Sequence, residues 1–159
     1  MKTFDPRQLR DALGRFATGV TVITTVDEHG KKYGVTANSY NSVSLDPPLI
    51  LWSLAKSSRS MDAFGRCESF VVHILGAHQE ALAMRFASRG EDKFAGLEMS
   101  EGLGGAPRMR DCVALLECRT ESQVEGGDHV IFIGRVVSFE YCDHEPLLFH
   151  SGRFARVGN

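Results

Sequence analysis

No apolar run in this chain approaches the roughly 20 residues of a membrane-spanning helix, so no membrane span is expected. Its opening, MKTFDPRQLRDALGRF, lacks the apolar centre and cleavage site of a secretion signal, and a cytoplasmic protein is expected. Charge is balanced: 18 Lys and Arg stand against 20 Asp and Glu, a net of -2. No basic stripe marks a nucleic-acid surface, and no block of like charge reads as a tail. Cys67, Cys112, Cys118 and Cys142 include no CxxC pair, and no histidine lies close enough to complete a zinc pattern. Free buried thiols are the expectation, not a disulfide framework.

Several catalytic signatures are missing too. GRFATGV, residues 14–20, has two glycines at P-loop spacing, but Val20 stands where a lysine is required. GLGGAP, residues 102–107, starts like a dinucleotide fingerprint, then places Pro107 at the last glycine and follows no predicted strand. There is no GxSxG elbow and no HExxH. His73 and His78 are spaced wrongly for one helix face, and His73 reads as a strand residue with a satisfied ring. Neither metal-assisted hydrolysis nor triad chemistry has support.

What remains is an ordinary globular composition, 43% hydrophobic and 24% charged over 159 residues, which suits one domain spanning 1–159. Residues 5–17 predict a helix capped by Asp5 with Pro6 in its first turn; Leu9, Leu13 and Phe16 share a face, and Gly19 ends it. VTVITTV, residues 20–26, is a β-branched strand, and a turn through Gly30 leads to a second strand from Tyr33. Asp46-Pro47-Pro48 breaks that strand, and residues 49–54 form a third, buried on both faces. Short helices are expected at 57–65, with a serine cap, and at 77–87, with strand 69–75 between them. Residues 88–110 form a long excursion loop. Residues 113–124 alternate as a half-exposed antiparallel strand; a turn at Gly126-Gly127-Asp128 leads into strand 129–141, bulged at Gly134. A hairpin about Ser151-Gly152 closes the chain. The sum is a small, mainly β barrel with peripheral helices.

Four stretches stand out within that frame. GVTANSYNSVS, residues 34–44, is a dense row of small neutral hydrogen-bonding groups, too polar for a core strand and too uncharged for an ordinary loop. WSLAKSSRS, residues 52–60, ends a strand in hydroxyls with Lys56 and Arg59; it reads equally as a phosphate site or a serine-capped helix start. RFASRGEDKF, residues 85–94, flanks Arg85, Arg89 and Lys93 with Phe86 and Phe94, whose rings either stack on a ligand or face the core. In GGDHVIFIGRV, residues 126–136, His129 follows a tight turn at the mouth of a strand.

The order and spacing of these stretches resemble the flavin reductase-like family, the small reductase components of two-component flavin-dependent monooxygenases. The match runs from LRDALGRFATGVTVITT through GVTANSYNSVSLDPPLILWSLAKSSRS, RFASRGEDKF and GDHVIFIGRV to PLLFHSGRF, nearly the whole chain. The resemblance implies a Greek-key split β-barrel that binds FMN or FAD and assembles as a homodimer. It implies that Thr36, Ala37, Asn38, Ser39 and Ser42 border the isoalloxazine ring. Ser53, Leu54, Ala55, Lys56, Ser57 and Ser58 would meet the ribityl chain and phosphate, with Phe86, Lys93 and Phe94 as the opposite wall. His129, Arg153 and Phe154 would border the nicotinamide. Two departures stand out: the C-terminus stops soon after HSGRF, and Tyr40 replaces what is often another aromatic or a small residue.

By that resemblance, NADH or NADPH passes a hydride from C4 to flavin N5, and reduced flavin leaves for an oxygenase partner. No side chain is then essential as acid or base, because the cofactors carry the chemistry. With no paired arginines for a 2′-phosphate, NADH is the expected donor. The alternative is an FMN-binding electron carrier of the flavoredoxin kind, reduced by a protein partner. A barrel oxidase of the pyridoxamine-phosphate type would call for a more basic pocket than Lys56, Arg59 and Lys93 provide.

Overall fold

Asp5 accepts a hydrogen bond from Arg7 N–H at 2.9 Å and so starts helix α1, Pro6–Leu13. The structure is a computed structural model and describes residues 3–90 and 92–158. The helix stops at Gly14, short of the expected Gly19. Its apolar residues Leu9 and Leu13 are 44% and 67% exposed, and Phe16, just beyond the helix, is 79% exposed.

The strands follow as β1 (Thr18–Gly19), β2 (Thr21–Val26), β3 (Lys32–Ala37), β4 (Asn41–Leu45) and β5 (Pro48–Ala55). Helix α2 (Met61–Arg66), β6 (Ser69–Ile74) and helix α3 (Glu80–Ala87) come next. The rest is β7 (Met99–Glu101), β8 (Pro107–Met109), β9 (Ala114–Gly126), β10 (His129–Tyr141), β11 (Leu148–His150) and β12 (Arg153–Ala155). One antiparallel sheet has the order β3-β2-β6-β9-β10-β5-β4. Because β5 precedes β6, β9 and β10 in the chain yet lies beyond β10, the order is a Greek key. Its edges β3 and β4 do not pair with each other, so the barrel is split. Strands β1, β11 and β12 form a small second sheet, and β7 pairs with β8.

Local chemistry explains these assignments. Strand β2 is buried almost throughout, and its threonines satisfy their hydroxyls on the carbonyls of Ala37 (2.6 Å), Pro107 (2.6 Å) and Ser69 (2.9 Å). The register of β9 and β10 slips between Ile133 and Gly134. A Cβ at Gly134 would stand 2.6 Å from the Phe70 ring, so the bulge and the missing side chain go together. Trp52 is the centre of the main core: it stacks on Phe132 at 4.8 Å and meets Phe64 and Phe70 edge-on. His73 is fully buried; its Nδ1–H donates to Val22 O at 2.9 Å and its Nε2 accepts from Met109 N–H at 3.0 Å. Burial holds the ring neutral by pushing its pKa down to about 4.

Some expectations change. β5 is buried on one face only: Ile50, Trp52 and Leu54 point inward, while Leu51, Ser53 and Ala55 are half-exposed. An antiparallel strand with one solvated face has that alternation. The stretch after β3 is not its continuation. The chain crosses at 38–40 from one sheet edge to the other and pairs as β4. α2 begins at Met61, and its Ser60 makes no side-chain cap; instead Ser58 Oγ accepts from Ser60 N–H at 3.1 Å. The 88–110 excursion carries the β7–β8 hairpin. All four cysteines are free, but Cys142 is exposed. Among the described residues no helix is long and apolar enough to cross a membrane.

Candidate functional site

The segments singled out from sequence touch one another through a chain of specific contacts. At the start of the crossing, Thr36 Oγ1 donates to Ala83 O at 2.6 Å, tying the end of β3 to α3. Ser39 Oγ accepts from Ser53 N–H at 2.9 Å and donates to Ser53 O at 3.2 Å, which joins the crossing to the half-exposed face of β5. Register then places Ala55 opposite His129. Lys56 N–H donates to Asp128 O at 2.9 Å and its ammonium lies 3.5 Å from Glu125. The loop after α3 returns to the same place. Gly34 of β3 lies directly under Phe86 and Phe94, whose rings meet edge-on at 5.0 Å.

The electrostatics favour an anion. Lys93 Nζ donates to Phe86 O at 3.2 Å, and its pKa is lowered first by burial and then by the charge of Arg59. Two cations from different loops therefore share one neighbourhood, and among the described residues neither forms an ion pair. Arg85 holds the loop by donating to the carbonyls of Lys93 (2.6 Å) and Ala95. The crossing itself is neutral, with Asn38 and Ser42 exposed and Ala37 and Ser39 half-exposed. An uncharged hydrogen-bonding segment and a pair of neighbouring cations suit a heterocycle carrying a phosphate, as a flavin nucleotide does.

Not every expected side chain is open to a ligand. Leu54 and Phe86 are 7% and 1% exposed and pack into the two main core clusters, leaving only their backbone for a ligand. Phe94 is half-buried against the cluster that holds Phe86. Ser57 is exposed and Ser58 half-buried, both before α2. His129 is 46% exposed, with Nδ1 2.7 Å from Asp128 Oδ1. Arg153 is exposed on β12, and Phe154 meets Phe149 edge-on and packs on the cluster containing Ala83 and Phe86. Sequence reasoning passed over Gly34 and Asp128. A glycine inside a strand signals close approach of another group, a cue present in KYGVTA. Clefts of about 540 Å³ beside Asp27–Lys32 and about 420 Å³ beside Cys112 and Cys142 share no residue with these segments.

Residues 13–158 match the family described as flavin reductase like domain. The chain is 41% identical over 157 residues to the reductase subunit HsaB of a flavin-dependent monooxygenase from Rhodococcus jostii, covering 98% of this chain and 80% of that protein. It is 43% identical over 150 residues to the FMN reductase (NADH) SmoA of Agrobacterium fabrum, covering 94% and 85%. The NADH:FAD oxidoreductase of Streptomyces globisporus, solved in complex with NAD and FAD fragments, superposes with a TM-score of 0.91 at 39% identity over 99% of this chain and 98% of that one. A Rhizobium meliloti relative, 49% identical over 139 residues, is longer, and the chain spans 45% of its length. With a split Greek-key barrel, a neutral crossing, a pair of neighbouring cations, and these matches along nearly its whole length, the chain belongs to the flavin reductase like domain family.

Proposed function

We propose that the chain, read as one domain, is an NAD(P)H-dependent flavin reductase that supplies reduced FMN or FAD to a partner oxygenase. The observation that carries this is the Ser39–Ser53 clasp between the crossing and β5, taken with the Lys93 and Arg59 charges. The clasp fixes a rigid neutral edge for the flavin ring, and the cations take its phosphate. When bound, the nicotinamide supplies a hydride from C4 and the flavin accepts it at N5. The chain's own work is orientation. Backbone groups of Thr36–Ser39 and Ser53–Ser58 hold one ligand, and His129, Arg153 and Phe154 position the other. No side chain here is asked to act as acid or base. The absence of paired arginines favours NADH over NADPH.

The functional unit in this reading is a homodimer, supported by the exposed Leu13, Phe16 and Leu45. The four free thiols suit the cytoplasm. The test is NADH oxidation by flavin-stripped protein with FMN, then FAD, added in excess. Turnover that depends on added flavin is expected. Tightly retained FMN with no turnover by either nicotinamide nucleotide would overturn the reductase reading in favour of an electron carrier.

A further inference from the structure

Strands β9 and β10 form one long ladder whose two ends differ. One end, Gly126 opposite His129, adjoins the candidate flavin site. The other, Ala114 opposite Tyr141, carries two cysteines just beyond it. Cys142 N–H donates to Val113 O at 2.9 Å, which extends the pairing and leaves Cys112 one step off Cys142. That offset puts their Cα atoms about 6 Å apart, within the span of a disulfide. Regular pleating would turn the two to opposite faces. Asp111, at φ +64, takes the chain out of strand geometry, and both cysteines line the same cleft of about 420 Å³. Cys142 Sγ lies 3.3 Å from Cys112 O, already against the other cysteine. The two thiols differ in access: Cys142 is exposed and Cys112 half-buried. Burial pushes the Cys112 thiol up to about 11, against a smaller opposing hydrogen bond from Gln79, so it stays protonated while its exposed partner meets oxidants first. Cys112 Sγ is held only by long contacts, 3.7 Å to Gln79 Nε2 and 3.7 Å to Arg110 O. Gln79 keeps its shorter bonds, to Arg110 O and Gly76 N–H, both at 2.9 Å, when that thiol turns.

We propose that Cys112 and Cys142 are an oxidation site, a dithiol that hydrogen peroxide converts to a disulfide within one chain. Peroxide gives one oxygen to the Cys142 thiol, which becomes a sulfenic acid, and leaves as water. Cys112 sulfur then attacks Cys142 sulfur. The S–S bond forms, and the sulfenic oxygen departs with the Cys112 proton as a second water. Two thiols and one peroxide thus give one disulfide and two waters. The source of the oxidant rests on the flavin reductase reading: reduced flavin that meets dioxygen before an oxygenase passes it two electrons and two protons and yields peroxide. The dithiol then records flavin reduced in excess of its use, as a transient disulfide of a reducing compartment. Because it lies at the far end of the ladder from the candidate flavin site, the cross-link clamps the sheet and leaves turnover as it was.

The experiment treats fully reduced wild type with a slight excess of hydrogen peroxide, blocks the remaining thiols and maps the peptides by mass without reduction. A Cys112–Cys142 cross-link inside one chain is expected, with a rise in melting temperature of about 5 °C or more that reductant reverses. Cys112→Ser, treated with peroxide and dimedone, should carry the adduct on Cys142. Cys142→Ser should keep Cys112 as a thiol at the same dose. Wild type without a cross-link overturns the inference, as does a link to another cysteine or between two chains, or a dimedone adduct on Cys112 in Cys142→Ser. The source of peroxide is read separately, with NADH and FMN in air and no added peroxide, in the presence and absence of catalase. A cross-link that catalase prevents is expected. Protein that oxidises NADH yet forms no cross-link there overturns the coupling to flavin. Protein that links with added peroxide but oxidises no NADH keeps the dithiol and overturns the reductase reading instead.

Discussion

Replacing Gly34 by alanine tests whether β3 and the loop after α3 are packed as one unit. A Cβ on Gly34 would stand 2.7 Å from Cδ1 and Cε1 of Phe86 and 3.0 Å from Cζ of Phe94. Carbon contacts prefer about 3.5–4.0 Å, so the Phe86 ring must retreat by nearly 1 Å. It has nowhere to go, being only 1% exposed within the cluster of Val22, Leu75 and Ala83. Overpacking of this kind costs about 1–3 kcal/mol. Alanine returns about 0.4–1 kcal/mol by restricting the unfolded chain. The net loss is then roughly 0.5–2 kcal/mol, and at about 2–4 °C per kcal/mol for a chain of this size the melting temperature falls by about 1–8 °C. The disturbance reaches the site because Phe86 O holds Lys93 Nζ at 3.2 Å. FMN affinity should fall with stability, and riboflavin affinity less. Thermal unfolding at fixed protein concentration measures the first effect and fluorescence titration the second. Phe86→Leu relieves the clash, so the double variant should be more stable than the sum of the single losses by about 0.5 kcal/mol or more. Unchanged stability in Gly34→Ala, or strict additivity in the double variant, would refute the packing argument.

Other outcomes follow from contacts already described. His73 takes up a proton near pH 4 when folded and near 6.5 when unfolded, so between those values the unfolded chain binds more protons. Stability should be full above about pH 6.5 and fall by up to about 3 kcal/mol as the pH drops toward 4. Urea midpoints across that window should lose this component in His73→Gln, and an unaltered profile would mean that His73 is not its source. Ser39→Ala leaves Ser53 N–H unpaired at the end of β5; flavin affinity should weaken about tenfold, and unchanged affinity would remove the clasp from the site. Lys93→Met should erase most of any preference for FMN over riboflavin in binding titrations while leaving riboflavin binding near wild type; equal loss for both would place Lys93 away from the phosphate.

The elements most legible in sequence carried two signals at once. Strand β10 had a β-rich run and a glycine in its middle, and the bulge falls at Gly134. β2 combined β-branched residues with a glycine turn after it, and His73 sat in an apolar strand whose neighbours could only bury it. Elsewhere a single signal left the partner open. The 3.6-residue pattern of α1 says which face is apolar and not what covers it, so Leu13 and Phe16 emerged exposed. β4 was merged with β3 because nothing in the polar stretch between them marks a crossing, although β4 pairs with β5. In RFASRGEDKF the choice between core and ligand for Phe86 turns on Gly34, fifty or so residues earlier, and one chain of letters does not place the two together. Much of the candidate site was legible as a set of segments. The bonds that join them, Ser39 to Ser53 and Asp128 to His129, were not, because they are side-chain geometry and not pattern.

The alternation of β5 sets how this protein can change. Ile50, Trp52 and Leu54 hold the aromatic centre, while Leu51, Ser53 and Ala55 interleave with them on the exposed side. One backbone therefore serves two separately adjustable rows. If that row lines the flavin as proposed, substitutions in it retune which flavin is held without touching Trp52. Insertion or deletion of a single residue exchanges the rows, placing indole on the exposed face and serine in the core. The exposed row of this strand is open to drift by point substitution and closed to change by length.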